Sequence, residues 1–347
     1  MGYAPAVATS EEVRVREFCP DDAAGVVALL NEVFSEDDDN YVPRTLEQWA
    51  WIYEQNPQGN QIIVAEDPSG RIVGHYAGIP YQTLLQGRVG VSGQGVDSMV
   101  SKEYRRGLKS EGLFLRTAWK YFETFGCHPQ NFFTYGFPNK KAMRIGTRIL
   151  KYLPIQAPVP SLGRNLYSRP DDRDVNVGAD PAGDVVELEG FDGRVDALWE
   201  RLRPEIAMGA VRDSRFLNWR YGTCPLAPYR AFGLEDGGGG LRGLYVSRAN
   251  WTGPPILALV ELLVPDADLS GALRLVAHAV AQARSTGQHR VEVWIPPHRD
   301  LYRVVSENGF TPEDSLFNLC IKMHHPGIEA DWIRSNWYYS LGDTDTF

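Results

Sequence analysis

The residues at 99–110 hold the densest chemistry in the chain. Tyr104, Arg105, Arg106, Gly107, Lys109 and Ser110 stand between a stretch at 93–100, which reads as a strand ending in Met99 and Val100, and a stretch at 111–125 that reads as a helix. A helix start presents unpaired backbone N–H groups and a partial positive charge. With basic side chains beside it, a strand–turn–helix corner of this kind suits a pyrophosphate. The same residues also fit a solvated basic loop beside an ordinary helix, and spacing alone does not separate the two. Four scattered cysteines show no CxxC or zinc spacing, and His324-His325 lacks the partners a metal would need, so no metal site is expected.

The elements that must hold this corner are legible on either side. Alternation at 13–18 gives a strand, Pro20, Asp21 and Asp22 open a helix, and 49–53 is a short aromatic helix. Strands follow at 61–66, 71–78 and 80–86, and after the 111–125 helix come a strand at 132–135 and a helix opened by Pro138 and Asn139. A Pro- and Gly-rich linker is expected at 156–184. Then the pattern returns: Trp51, Tyr53 and Pro57 recur as Trp219, Tyr221 and Pro225, each 168 residues on, and Glu66 to Gly74 has the spacing of Glu235 to Gly243. The chain reads as a duplication, with each Trp-x-Tyr segment closing one core. Its 347 residues fit two domains of ordinary size.

The order of elements resembles the GCN5-related N-acetyltransferase (GNAT) superfamily in its tandem-domain form. The strand ending in Val100, the Tyr104-Arg105 turn and the following helix resemble that family's acyl-CoA pyrophosphate loop. The 132–135 strand followed by Asn139 and Ala142 is similar to its Asn-x-x-Ala motif, and Gly309-Phe310 to the pair that closes the fold. The loop departs from the family in having Leu108 and Ser110 at its two small positions. Gly146 stands where the family often has a tyrosine that protonates the departing thiolate. Tyr135 and Tyr104 are substitutes by composition, and either also reads as a packed aromatic.

The resemblance implies an α/β fold of two tandem GNAT-like domains, each a mixed, mostly antiparallel sheet flanked by helices. The expected organisation is a disordered lead-in at 1–12, an acyl-CoA-binding domain at 13–155, the linker at 156–184, a second GNAT-like domain at 185–323 and a tail at 324–347. The second domain is expected to have lost its cofactor site, because acidic 265–271 replaces the basic loop and would repel a pyrophosphate. The implied activity is acetyl transfer from acetyl-CoA to a primary amine of a small molecule by direct attack. Alternatives are transfer of another acyl or aminoacyl group, or a binding protein without catalysis. Met99, Val100, Arg105, Arg106, Gly107, Lys109, Ser110 and Asn139 would hold coenzyme A. Asp97, Glu66 or the terminal carboxylate of Phe347 would take the amine's proton, and Tyr135 is the substitute proton donor. The aromatic and acidic tail is expected either to cover apolar surface or to line the acceptor side of the first domain's cleft. A net charge of -9 argues against nucleic acid as partner. The longest apolar run contains Glu261 and is too short to span a bilayer. No signal peptide is seen, and the expected location is cytoplasmic.

Overall fold

The computed structural model describes residues 12–36, 38, 40–105, 112–167, 175, 183–250 and 255–346. These residues fall into two compact units. The first comprises residues up to Tyr81, Gly90–Gly136 and Lys322–Pro326, and the second Gln82–Val89, Phe137–Ile321 and Gly327–Phe347.

In chain order the first unit is built from β1 (Arg14–Glu17), α1 (Ala23–Phe34), α2 (Leu46–Tyr53), β2 (Gln61–Glu66), β3 (Ile72–Leu85), β4 (Arg88–Val100), α3 (Leu113–Thr124) and β5 (Phe133–Gly136). The strands lie in the order β1-β2-β3-β4-β5. The first pairs are antiparallel, while β4 and β5 run parallel. The two strands expected at 71–78 and 80–86 are one, β3. Pro80 has no N–H to give a ladder, but it falls where none is needed: β2 ends at the Gln61–Gly78 pair, and the next partner joins at Thr83. Tyr121 of α3 lies flat on the sheet and donates to Gln61 Oε1 at 2.9 Å. Gly78 and Gly93 permit this, since a Cβ on either would stand 2.1 or 2.7 Å from the Tyr121 hydroxyl. Val13, Ala65, Val73, Val100, Tyr104 and Leu113 form a buried cluster beneath α3.

The second unit contains α4 (Lys140–Ile145), β6 (Leu153–Gln156), β7 (Pro160–Asn165), β8 (Val185–Leu188), α5 (Gly193–Leu202), β9 (Met208–Ala210), α6 (Ser214–Leu217), β10 (Arg230–Glu235), β11 (Leu241–Ala249), β12 (Ile256–Leu263), α7 (Leu269–Ser285), β13 (Arg290–Val293), α8 (Asp300–Glu307), β14 (Thr311–Asp314), β15 (Leu319–Met323) and α9 (Ala330–Asn336). Its main sheet has the order β14-β7-β13-β12-β11-β10-β8. Residues of the stretch expected as linker thus supply a strand, β7, which pairs with β13 and β14. One apolar face of α7, with Leu275, Val276, Ala279 and Val280, packs on this sheet within a buried core.

The repeated sequence spacing corresponds to repeated geometry. In the first unit Ala65 faces Gly74 and Glu66 faces Ile72, with a register shift between them. In the second, Leu234 faces Gly243 and Glu235 faces Leu241, with the shift at the same step. Both Trp-x-Tyr segments lie on helical turns capped alike: Thr45 accepts from Gln48 N, and Asp213 from Phe216 N.

Candidate functional site

Asp97 is the centre of the polar chemistry in the first unit. It sits on β4 with φ of +47°, a left-handed conformation that an aspartate tolerates better than most residues. His75 of β3 holds it there: Nδ1 lies 2.7 Å from the Asp97 carbonyl oxygen. A carbonyl only accepts, so the imidazole carries its proton on Nδ1. Burial pushes the His75 pKa down, against the effect of this bond, and keeps the ring neutral. The carboxylate takes two bonds on a single oxygen, Oδ2, from Arg44 Nη1 at 2.6 Å and from the Tyr53 hydroxyl at 2.7 Å. Arg44 immediately precedes the Thr45 cap of α2, and Tyr53 ends that helix, so one capped helix places both donors. Burial works against the Arg44 charge, but Asp97 and Tyr53 outweigh it and raise its pKa.

Beside Asp97 β4 outruns its neighbour β5. β4 pairs with β5 at Gly93 with Thr134 and Gln94 with Tyr135, and it continues to Val100 while β5 ends at Gly136. Gln94 accepts from the Tyr81 hydroxyl at 2.9 Å, and the Tyr81 and Tyr135 rings lie 6.3 Å apart. Met99 and Val100 are buried at the end of β4. Arg105 donates from Nε to the Val100 carbonyl at 2.7 Å and grips both oxygens of Glu36 at 2.7 and 3.0 Å. The next helix, α3, starts after Gly112, a residue with no side chain to cap it. Arg106, Gly107, Lys109 and Ser110 lie outside the described residues.

The remaining sequence candidates have partners of their own. Glu66 is bound by Arg16 Nε at 2.9 Å on the β1–β2 edge, with β3 between it and β4. Tyr104 is a packed aromatic whose hydroxyl donates to Asp67 at 3.2 Å. Asn139 caps α4, accepting from Ala142 N at 2.9 Å. Phe347 lies outside the described residues. The tail before it packs into the second unit: Trp337 to Thr344 are all buried.

That packing uses a second polar cluster. Arg212 Nε lies 3.2 Å from Glu261 Oε1 and Nη2 lies 2.6 Å from Asp343 Oδ2, all with side-chain exposure of 4% or less. Tyr221 donates to Glu261 at 2.8 Å, and Arg220 donates to the carbonyls of Gly342 and Thr344. Burial opposes the Arg212 charge, while Asp343 and Glu261 hold it well above its usual pKa. Burial also pushes the Glu261 carboxyl up, against the pull of Arg212. The acidic segment 265–271 is likewise neutralised. Asp266 pairs with Arg299, and Asp268 pairs with Arg242 and caps α7 at Gly271 N.

Sequence reasoning placed Asp97 but missed Arg44, Tyr53 and His75. The signal was available for two of them: Arg44 and Arg212 are 168 residues apart, as are Tyr53 and Tyr221. The repeat therefore begins seven residues before Trp51, and it carries an Arg–Tyr pair as well as packing.

The acetyltransferase (GNAT) domain family matches residues 14–118. No curated protein matches the chain in sequence. Solved structures share the fold at low identity. A probable N-acyltransferase from Enterococcus faecalis superposes with a TM-score of 0.64 at 11% identity, covering 90% of this chain and 72% of that one. A GCN5-related N-acetyltransferase from Kribbella flavida gives 0.62 at 12%, covering 92% and 73%. The N-myristoyltransferase of Saccharomyces cerevisiae, solved with bound myristoyl-CoA, gives 0.54 at 14%, covering 90% and 85%.

Proposed function

Because the GNAT domain family matches residues 14–118 and solved N-acyltransferase and N-acetyltransferase structures share the fold over about nine-tenths of the chain, we propose that this protein is an acyl-CoA-dependent N-acyltransferase. It transfers an acetyl group to a primary amine of a small molecule by direct attack. The observation that carries the reading is that β4 runs on past the end of β5 beside Asp97. The β4 backbone beyond Gln94 can pair with an extended thioester arm, while the start of α3 and Arg105 can receive its pyrophosphate. The yeast relative's acyl-CoA ligand supports the donor class.

In this scheme the amine nitrogen bonds to the thioester carbonyl carbon, the C–S bond breaks, and coenzyme A leaves as a thiolate. A backbone N–H near Val100 stabilises the oxyanion. The amine's proton passes to Asp97, directly or through water. Arg44 and Tyr53 fix that carboxylate by its Oδ2 and leave Oδ1 clear of their bonds. Tyr135, across from Gln94, supplies the proton to the thiolate. Glu66 has no part in it, being held by Arg16.

Calorimetry with coenzyme A, followed by thiol release from acetyl-CoA with a panel of amines, tests the proposal. Asp97→Asn should lower kcat by about 100-fold or more while coenzyme A affinity stays the same. Wild-type turnover in that variant would remove Asp97 from the mechanism. Absence of coenzyme A binding in the native protein would remove the enzyme reading altogether.

A further inference from the structure

The two units hold the same three-residue arrangement with different charge balance. Arg44, Tyr53 and Asp97 in the first correspond to Arg212, Tyr221 and Glu261 in the second: the arginine precedes the cap of a Trp-x-Tyr helical segment, and arginine and tyrosine converge on one acid of the strand that follows the glycine-bearing hairpin. In the second unit the arginine meets two carboxylates. The second, Asp343, arrives on the turn at 340–343, which presses so closely that a Cβ on Gly342 would stand 2.0 Å from the Tyr221 hydroxyl and 2.5 Å from Glu261 Oε1. In the first unit, among the described residues, Arg44 meets only Asp97. The Arg44 side chain is 23% exposed against 0% for Arg212.

We propose that the acceptor provides the missing carboxylate: the substrate class is a free α-amino acid, its carboxylate on Arg44 and its amine on Asp97 Oδ1. This rests on the amine-acylation reading above and narrows it. Arginine's planar fork can hold Asp97 through one nitrogen and a second carboxylate along another edge, as Arg212 does with Glu261 on Nε and Asp343 on Nη2. The spacing selects the ligand. Arg44 and Asp97 touch at 2.6 Å, so their ligand must carry opposite charges close together. An α-amino acid has a single carbon between its ammonium and carboxyl groups. A simple amine would satisfy Asp97 and leave Arg44 without its second anion. A carboxylate without an amine would face Asp97 as a like charge.

The test compares binding and turnover. The common α-amino acids, their carboxamides and the matching decarboxylated amines are titrated into the full-length protein, with and without coenzyme A, and then offered with acetyl-CoA. At least one amino acid should bind about tenfold or more tighter than its carboxamide and show the same preference in kcat/KM. Arg44→Gln should bring that ratio close to one, and Arg44→Lys should retain part of it. Melting temperatures of both variants separate loss of recognition from loss of fold. If every amino acid fails to bind, or carboxamides and plain amines bind as well as the acids, the inference is overturned. A preference for the acid that survives in a folded Arg44→Gln protein overturns it too. Amino-acid binding of the expected kind without acetyl transfer would uphold the inference and sink the enzyme reading, so the two fail separately.

Discussion

Replacing Asp343 by alanine should destabilise the second unit by about 2–4 kcal/mol. The figure follows from the groups that the side chain leaves behind. Breaking one partner of a buried ion pair costs about 3–5 kcal/mol, because the remaining charge stays out of water. Two bonds are lost, to Arg212 Nη2 at 2.6 Å and to Ser340 N at 2.8 Å. The loss is moderated because Arg212 keeps Glu261 at 3.2 Å and the Ala210 carbonyl at 2.9 Å. Glu261 is also relieved of a like charge, since Asp343 is one of the causes, after burial, that raise its pKa. Asp343→Asn can still accept from Ser340 N and should lose less. Urea unfolding followed by tryptophan fluorescence reads the effect, because Trp199, Trp219 and Trp337 are buried in this unit. With two units, the transitions must be fitted separately before a free energy is taken. An Asp343→Ala midpoint within about 0.5 kcal/mol of wild type would mean that this pair does not hold the tail, and would remove the basis for treating Asp343 as a built-in ligand of Arg212.

Arg105 is spoken for by Glu36 at 2.7 Å, so Glu36→Gln should tighten coenzyme A binding several-fold, whereas Arg105→Ala should weaken it by about 1.5–3 kcal/mol; calorimetric constants that do not move would take Arg105 out of the donor site. His324 bonds Thr134 at 2.9 Å, and burial, aided by Lys322, pushes its pKa down to about 4. The unfolded chain therefore binds this proton first, so the stabilisation is full above pH 6.5 and is lost as pH falls from there towards 4. Because the ring is partly exposed, the loss should be about 1–2 kcal/mol. His324→Gln should flatten the slope of urea midpoint against pH in that window, and an unchanged slope would refute the assignment.

Layer type, strand order near the hairpins and the repeat were legible because they depend on local patterns: alternation, caps and glycine spacing. The bulge at Ala65/Glu66 and its counterpart at Leu234/Glu235 follow from an eight-residue spacing visible in the chain. The strand β7 was not legible, because Pro158, Pro160 and Gly163 look like a linker and only pairing with β13 and β14 makes 160–165 a strand. The site was half legible. Asp97 could be picked out as an acid on the strand entering the basic loop, but its partners come from a helix and a strand far away in sequence. His75 sits in an apolar run that reads as core, and it is wholly buried. Its role, pinning a left-handed Asp97, depends on a backbone angle that no composition reveals.

The two units, read as counterparts, also explain each other's charges. In the first, the helix after the fourth strand begins at a glycine, and among the described residues the Arg–Tyr–acid group has one carboxylate. In the second, Asp268 caps the corresponding helix and Asp343 adds the second carboxylate. Both places where the first unit would receive an anion from a ligand, the pyrophosphate and the acceptor's carboxylate, are filled in the second by the chain's own aspartates. An acid at a helix start and an acid on a buried arginine are each favourable where they stand. A unit that no longer receives ligands keeps its cationic positions only if something neutralises them. On the proposed reading those aspartates accompany the loss of a binding site, and the positions open in the first unit are where its ligands would bind.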